Sequence, residues 1–296
     1  AMQERGDLVR DAQGRWIEGP RLDWERLPPR VEGSIAQRVG RLISFQQRLL
    51  TAASVIGVDF HAETLARVVG QPVESVVSTL SGTLRRGRLV EALGIEKVAV
   101  APRPVEFWSD ESPQDTARRA SKSSIEPLAL SHYRFRHELF QTYLYGRLDS
   151  VACAHLHGVV GDALEEIYGP SSPLIAGQLA RHFEAANRPG KATGYLLQAG
   201  QQAAWLGAHR QAISCFKQAL TLLGNLPNGA ERAKREFAVQ MAMDDSLVFA
   251  SGWGAPERLR SSDRAYELGQ QGGTATAATL QALRAIANLS AVRGEF

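Results

Sequence analysis

The chain has 296 residues, which is enough for two domains that each bury a hydrophobic core. A hydrophobic content of 44% and a charged content of 22% indicate a globular protein and exclude a disordered or fibrous chain. The formal net charge is only +3, so composition alone does not indicate a nucleic acid as the partner. No apolar run approaches the roughly 20 residues of a membrane span and no secretion signal is recognisable, so we expect a cytoplasmic protein without a membrane partner.

The opening of the chain, 1–33, is predicted to form a hairpin followed by a linker. Apolar pairs flank the turn-forming residues 11–14, which is the pattern of a short hairpin. Pro28 and Pro29 then interrupt the chain, and apolar residues recur at helical spacing from about Ser34.

A winged-helix domain is predicted over 34–149. Helical periodicity occurs in three stretches, 34–57, 61–69 and 72–84. A strand is predicted at 89–93, and the alternation of aromatic residues with arginines predicts a second strand at 133–136 that pairs with it antiparallel. The stretch 101–130 between them contains prolines and serines and is predicted to be a mobile loop; whether it becomes ordered on binding is left open.

Alanine, leucine and glutamine become frequent after residue 149, and 150–296 is predicted to be an array of tetratricopeptide-like helix pairs, truncated at the end of this chain. The spacing of such a repeat is met by Leu196, Ala199, Gly200, Ala203, Ala212, Phe216 and Ala219. A second register that starts at Leu179 also fits, so the repeat register stays open. The predicted fold class is mostly α, with a winged-helix domain followed by an α-solenoid of antiparallel helix pairs.

Four parts of the sequence together resemble one family. They are GDLVRDAQGRWIEG, then RVEGSIAQRVGRL with LLTAASVIGVDF, then YRFRHELFQTYLY, and finally QLARHFEAANRPGKATGYLLQAGQQA. Over residues 6–296 the chain resembles the C-terminal part of bacterial STAND-type signalling ATPases, such as maltotriose-responsive activators and cyclase- or kinase-associated ATPases. The resemblance implies that the opening hairpin ends an upstream ATPase module, and that the helical repeats sense a ligand or a protein.

The ATPase core has no counterpart in this sequence. A phosphate-binding loop needs the pattern Gly-x-x-x-x-Gly-Lys-Ser/Thr, so that backbone amides and a lysine surround the phosphates. The segment Gly190-Lys191-Ala192-Thr193 lacks the first glycine and has no hydroxyl directly after the lysine. We therefore expect a chain that is not an enzyme, with no catalytic residues and no cofactor of its own. ATP or ADP would bind the ATPase module of a parent protein.

The histidines do not predict a metal site. His155 and His157 are two positions apart on a predicted helix, so their side chains point to different faces. His182 and His209 are each isolated in the sequence and are interpreted as helix-cap or surface residues. The two cysteines are far apart in predicted helices and are interpreted as small buried residues.

Arg136 and His137 are candidates for sensing a nucleotide. The segment Arg136-His137-Glu138 resembles the Met-His-Asp segment of related apoptotic and plant-resistance NTPases, in which the histidine approaches the phosphate of bound ADP. The resemblance implies an imidazole that reads nucleotide state from a helix N-terminus, provided that an ATPase module precedes it. The alternative is that His137 only caps the helix and packs there.

Arg85, Arg86 and Arg88 end the predicted recognition helix of the winged helix and are candidates for contacting DNA phosphates. Phosphate contacts alone give salt-sensitive, non-specific binding. The resemblance implies instead that this domain acts as a hinge, so a nucleic acid is the less expected partner.

The concave face of the predicted array is the candidate site for a partner. Six residues would give it stacking surface and hydrogen-bonding groups, as in peptide or sugar grooves: Arg181, Tyr195, Gln198, Gln202, Trp205 and Arg210. The alternative is that the aromatic residues belong to the core.

The leading hypothesis is a non-catalytic regulatory segment of a STAND ATPase. A protein or small-molecule ligand on the repeats would shift the winged helix relative to an upstream nucleotide switch, and self-association would change with it. Two alternatives stay open, a winged-helix transcriptional regulator that binds DNA and a freestanding scaffold adaptor.

Overall fold

The computed structural model of the protein describes residues 8–10, 16–18, 29–98, 128–252 and 255–272. Within these ranges the chain is mostly helical, with a two-stranded hairpin and a three-stranded sheet. The predicted mostly-α fold class is therefore confirmed. None of the described helices combines the length and the apolar character needed to cross a membrane.

The hairpin at the start of the chain consists of β1 (Leu8–Arg10) and β2 (Trp16–Glu18). The two strands are antiparallel, and Val9 lies opposite Ile17. The predicted strand pairing is confirmed, whereas the turn at 11–14 lies outside the described residues.

Four helices follow the hairpin in the described chain: α1 (Pro29–Gly40), α2 (Ser44–Ile56), α3 (Ala62–Val69) and α4 (Val73–Thr79). A π-helical turn, Leu80–Leu84, continues α4. Gly70 ends α3 in the left-handed region with φ 64°, where a glycine is free of strain, and its N–H donates to the carbonyl of Ala66. Pro72 is the N-cap of α4, one position earlier than the first helical position that such a proline favours. The three predicted helical stretches are confirmed.

The sheet contains β3 (Asp59–His61), β4 (Val90–Val98) and β5 (Leu128–Phe135) in the order β3-β5-β4, and both pairings are antiparallel. Val90 lies opposite Phe135, so the predicted pairing of the two wing strands is confirmed. Both strands are longer than predicted. The strand β4 extends to Val98, and β5 begins at Leu128, inside the predicted loop. Residues 101–127 of that loop lie outside the described part of the chain.

The strand β3 is absent from the sequence prediction. Three residues are too few to show a measurable alternation of apolar and polar side chains, and the partner strand is more than 60 residues away in the chain. With β3 included, the order is helix, strand, two helices and a two-stranded wing, which agrees with the predicted winged helix.

The described residues contain seven α-helices after the sheet: α5 (Glu138–Tyr145), α6 (Ser150–Tyr168), α7 (Ala176–Ala185), α8 (Pro189–Trp205), α9 (His209–Gly224), α10 (Ala230–Ser251) and α11 (Pro256–Gly272). Asp149 caps α6, since its Oδ1 accepts the N–H of Ala152 at 2.7 Å. A 3₁₀ helix, Gly169–Ile175, precedes α7.

The core residues of the predicted repeat are buried where α8 packs on α9. Ala203, Ala212, Phe216 and Ala219 are all less than a tenth exposed. Gly200 lies directly against the Phe216 ring. The short connections between these neighbouring helices fit antiparallel pairs, while an extended solenoid stays a prediction.

The winged helix and the first helices of the array share one hydrophobic core. A single cluster of buried side chains includes Leu49 and Phe135 from the winged helix together with Leu164 of α6 and Phe183 of α7. A second cluster lies between α8, α9 and α10, and Tyr195 packs against both clusters. The boundary predicted at 149/150 therefore does not coincide with a break in packing.

Candidate ligand groove on the helical layer

A groove with a volume of about 430 Å³ lies between α8 and α10. The residues that matter for its chemistry are Lys191, Tyr195, Gln198, Glu231, Lys234 and Arg235. Three cationic side chains thus face one carboxylate around a partly apolar floor that includes Leu197 and Val239. Such a lining favours a ligand that carries negative charge and some apolar surface.

The groove lies at the beginning of α8. Pro189 stands at the start of this helix, where its missing N–H costs no hydrogen bond. The helix has neither a side-chain cap nor an acidic residue in its first turn, so its positive dipole end is not compensated by its own residues. The carbonyl of Gly190 accepts a hydrogen bond of 2.9 Å from the Arg235 guanidinium, which ties α10 to this end of α8.

Lys191 is held by acidic residues of α6. Its Nζ lies 2.6 Å from Glu165 and 3.0 Å from Asp162, and Arg188 donates to the same Asp162 at 2.7 Å. Burial disfavours the charge on Lys191, but its hydrogen bonds to Glu165 and Asp162 outweigh burial and raise the pKa of the ammonium group. Lys191 is therefore cationic, and much of its charge is already neutralised within the protein.

Lys234 differs from the other two cations of the groove. Arg235 donates to Glu231 at 2.9 Å, one helical turn away on α10. Lys234 is exposed and has no hydrogen-bond or ion-pair partner among the described residues. Its charge is the one most available to a ligand.

Tyr195 contributes ring surface to the groove, since its hydroxyl is already used. The hydroxyl donates to Glu165 Oε1 at 2.6 Å, and the ring stacks on Phe183 with centroids 5.7 Å apart. Burial and the Glu165 carboxylate both raise the pKa of this phenol, so it stays protonated.

The six predicted partner residues do not form one site. Tyr195 and Gln198 line the groove, and Gln202 and Trp205 follow on α8, both exposed. Trp205 is 85% exposed at the end of that helix. The other two residues, Arg181 on α7 and Arg210 on α9, are exposed but do not line the groove.

The sequence analysis missed the three groove cations as binding residues. Lys191 was considered only as part of a phosphate-binding loop, and Lys234 and Arg235 lie on a different helix more than 40 residues away. No local pattern marks them, because only the packing of α10 against α8 brings them together.

The structure places His137 and Arg136 at the junction of β5 and α5, both exposed. His137 is the N-cap residue, but its side chain makes no capping hydrogen bond, and its ring lies 6.4 Å from that of Phe140. The backbone N–H of Arg136 donates to the carbonyl of Leu89 at 3.0 Å. The side chains are accessible, and their nucleotide-sensing role stays a prediction.

Arg85, Arg86 and Arg88 are exposed at the turn between the π-helical segment and β4. Arg86 donates to the carbonyl of Gly82 in its own helix at 3.2 Å. Arg88 has a positive φ of 53°, in the left-handed region that a non-glycine residue seldom adopts. These arginines are accessible, and DNA contact stays a prediction.

The interpretation of His182 as an isolated cap or surface residue is wrong. Its side chain is buried, and its Nδ1 lies 2.8 Å from Nδ1 of the buried His157. The two helices that carry them pack against each other, which the separation of 25 residues in the sequence conceals. His155 is exposed, so the expectation that it and His157 face different sides of their helix is confirmed. His209 stacks on the exposed Phe249 ring at 4.6 Å.

Comparisons with models of protein families, with curated proteins and with solved structures found no match to this chain.

Proposed function

We propose that this chain is a non-catalytic regulatory and interaction segment that binds an acidic peptide in the groove between α8 and α10. Binding there is coupled to the winged helix and, through it, to an upstream nucleotide-dependent switch of the kind found in STAND ATPases. The observation that carries the proposal is the cationic groove itself, one wall of which is α8, whose Ala192 belongs to the core shared with the winged helix.

The charges of the groove favour an acidic ligand. Lys234 has no partner among the described residues, and the start of α8, which has no acidic residue in its own first turn, adds a partial positive charge beside it. Gln198 and Gln202 continue along α8 with exposed amides that can bond a peptide backbone. An extended segment with acidic side chains uses all of these groups, whereas a basic segment meets only Glu231 as an opposite charge.

A physical connection leads from the groove to the winged helix. Lys191 and Tyr195 on α8 both contact Glu165 on α6. In turn α6 packs against α2 and α3, and Glu166 forms an ion pair with Arg67 of α3. A ligand that shifts α8 therefore biases the position of α6 against the winged helix, where the exposed His137 would respond to a nucleotide.

Lys234→Glu tests the groove. We expect a fluorescein-labelled hexaglutamate peptide to bind the wild-type chain more tightly than hexalysine in fluorescence anisotropy. Reversing the charge of Lys234 should weaken hexaglutamate binding at least roughly threefold, because it replaces an attraction by a repulsion of similar size. Lys97→Glu is the matched control, because Lys97 is exposed on the wing strand β4 and this substitution changes the net charge by the same amount.

Two results would contradict the proposal. One is that hexaglutamate binds the wild-type chain no better than hexalysine. The other is that Lys97→Glu weakens binding as much as Lys234→Glu, which would mean that only the overall charge attracts the peptide.

A further inference from the structure

Two histidines and a glutamate meet on one face of the three-stranded sheet. His61 ends β3, His132 lies in the middle of β5 and Glu96 lies in β4. His61 and His132 are directly opposite each other in the antiparallel pairing, so their side chains share a face. Their rings lie 5.1 Å apart.

A β-bulge brings Glu96 to the same face. The pairing of β4 with β5 shifts between Ala92 and Gly94, so that Gly94 lies opposite His132. Side chains alternate along a strand, and Glu96 is two residues beyond Gly94, which places it on the side of His132. Without the extra residue, Glu96 would point to the other face.

The donor atoms are close enough to share one ion. The Glu96 carboxylate lies 2.8 Å from His61 Nε2 and 3.8 Å from His132 Nδ1. One donor atom from each of the three residues lies within 4.8 Å of the others. Ligand bonds of about 2.0–2.1 Å at tetrahedral angles separate two ligand atoms by roughly 3.3 Å, so only small side-chain movements are needed.

Asp59 lies next to His132 but is not one of the three residues of this group. Its carboxylate lies 3.4 Å from His132 Nε2, the nitrogen that faces away from Glu96. The negative charge of Asp59 favours the proton of His132 on Nε2, which leaves the lone pair of Nδ1 free for an ion. A carboxylate beside the second ring nitrogen is a usual feature of metal-binding imidazoles in proteins. Asp59 is itself fixed by Arg134, whose Nε donates to it at 2.6 Å.

We propose that His61, His132 and Glu96 form a binding site for a divalent transition-metal ion of the Zn²⁺ class. Two imidazoles and one carboxylate suit Zn²⁺, whereas Mg²⁺ and Ca²⁺ prefer oxygen ligands alone. The side chains of His61 and His132 are 17% and 25% exposed, so an ion can enter from solvent. Water completes the coordination, as it does in zinc sites with three protein ligands.

The bound ion joins all three strands of the sheet. It links the wing strand β4 to β5 and β3 through side chains. On β4 this link lies beyond the bulge between Ala92 and Gly94, where the pairing with β5 shifts. Zn²⁺ binding therefore raises the thermal stability of the folded chain in a concentration-dependent way.

Isothermal titration calorimetry with zinc chloride tests the site on the whole chain. The expected result is one saturable Zn²⁺ site, which Mg²⁺ does not occupy. Glu96→Gln and His132→Ala each weaken the affinity at least tenfold, since even an outer-shell partner of a ligand contributes 10–100-fold. His155→Ala and Glu74→Gln are matched controls at exposed positions, and both retain the wild-type affinity.

The proposal is overturned if Zn²⁺ does not saturate a single site, or if Glu96→Gln and His132→Ala bind as the controls do. A thermal melt shows whether each variant is folded. If His132→Ala does not fold, Glu96→Gln decides, because the Glu96 side chain is 48% exposed on the wing.

Discussion

A chain of hydrogen bonds runs from the half-buried Cys153 to the buried His182. The Cys153 thiol donates to the Tyr145 hydroxyl at 3.2 Å, and this hydroxyl lies 3.0 Å from His157 Nε2. If the hydroxyl donates its own proton to Nε2, the proton of His157 is on Nδ1 and is donated to His182 Nδ1. The proton of His182 is then on Nε2, which is buried without a partner among the described residues.

This arrangement requires both imidazoles to be neutral. Burial, followed by the nearby His157 and Arg181, lowers the pKa of His182 to about 3. Burial and then Arg181 also lower the pKa of His157. Both folded-state pKa values lie below the ordinary value of about 6.5, so the unfolded chain binds more protons than the folded chain as the pH falls.

We therefore expect the free energy of unfolding to decrease as the pH falls below about 6.5, by up to roughly 1.4 kcal/mol per pH unit for His182 down to its folded pKa. Urea denaturation between pH 7.5 and 5 measures this slope. His182→Leu should reduce this slope, because the contribution of His182 is removed while that of His157 remains. His155→Gln, at an exposed position of the same helix as His157, should leave the slope unchanged, and an unaltered slope in His182→Leu would refute the account.

At the level of helices, the contact of α8 with α9 depends on a glycine. A Cβ atom at Gly200 would lie less than 3.0 Å from the Phe216 ring, which is fully buried and cannot move aside. The repeat pattern requires a small residue at this position for the same reason, so the sequence identified the residue correctly.

Gly200→Ala should destabilise the protein by about 1–3 kcal/mol, because the added methyl overpacks the interface. Gly194→Ala is the matched control in the same helix, since a Cβ there meets no atom within 4 Å. It should stabilise the protein by about 0.5–1 kcal/mol, as expected when alanine replaces a helical glycine. Chemical denaturation of the two variants measures the difference, and equal stabilities would show that α8 and α9 do not pack this closely.

The sequence predicted those elements whose signal is local and missed those that depend on distant partners. The repeat positions Ala212, Phe216 and Ala219 lie at helical spacing within a short stretch, and the structure places all three in α9, as the pattern predicted. In contrast, the pairing of His157 with His182 depends on how two helices pack against each other. Likewise, Lys234 joins Lys191 and Tyr195 in one groove only because α10 packs on α8.

At the level of the whole molecule, α6 connects the two predicted domains. One side of this helix carries Leu164 and Tyr168, which belong to the core shared with the winged helix. Another side carries Asp162 and Glu165, which bind Lys191 at the start of α8. The change in composition at residue 150 suggested a domain boundary, but the packing of a helix on both neighbours is not visible in composition.

Leu164→Ala tests whether this shared core makes the winged helix and the array cooperate. The side chain is only 2% exposed, so its truncation should cost about 2–5 kcal/mol, and Val151→Ala, at a position 78% exposed on the same helix, should cost almost nothing. If the core is one unit, hydrogen exchange measured by mass spectrometry will show β5 and α7 losing protection together in Leu164→Ala. Loss of protection confined to α6 and the helices after it would mean that the winged helix folds independently, and the route from the groove to the nucleotide switch would then lack its mechanical basis.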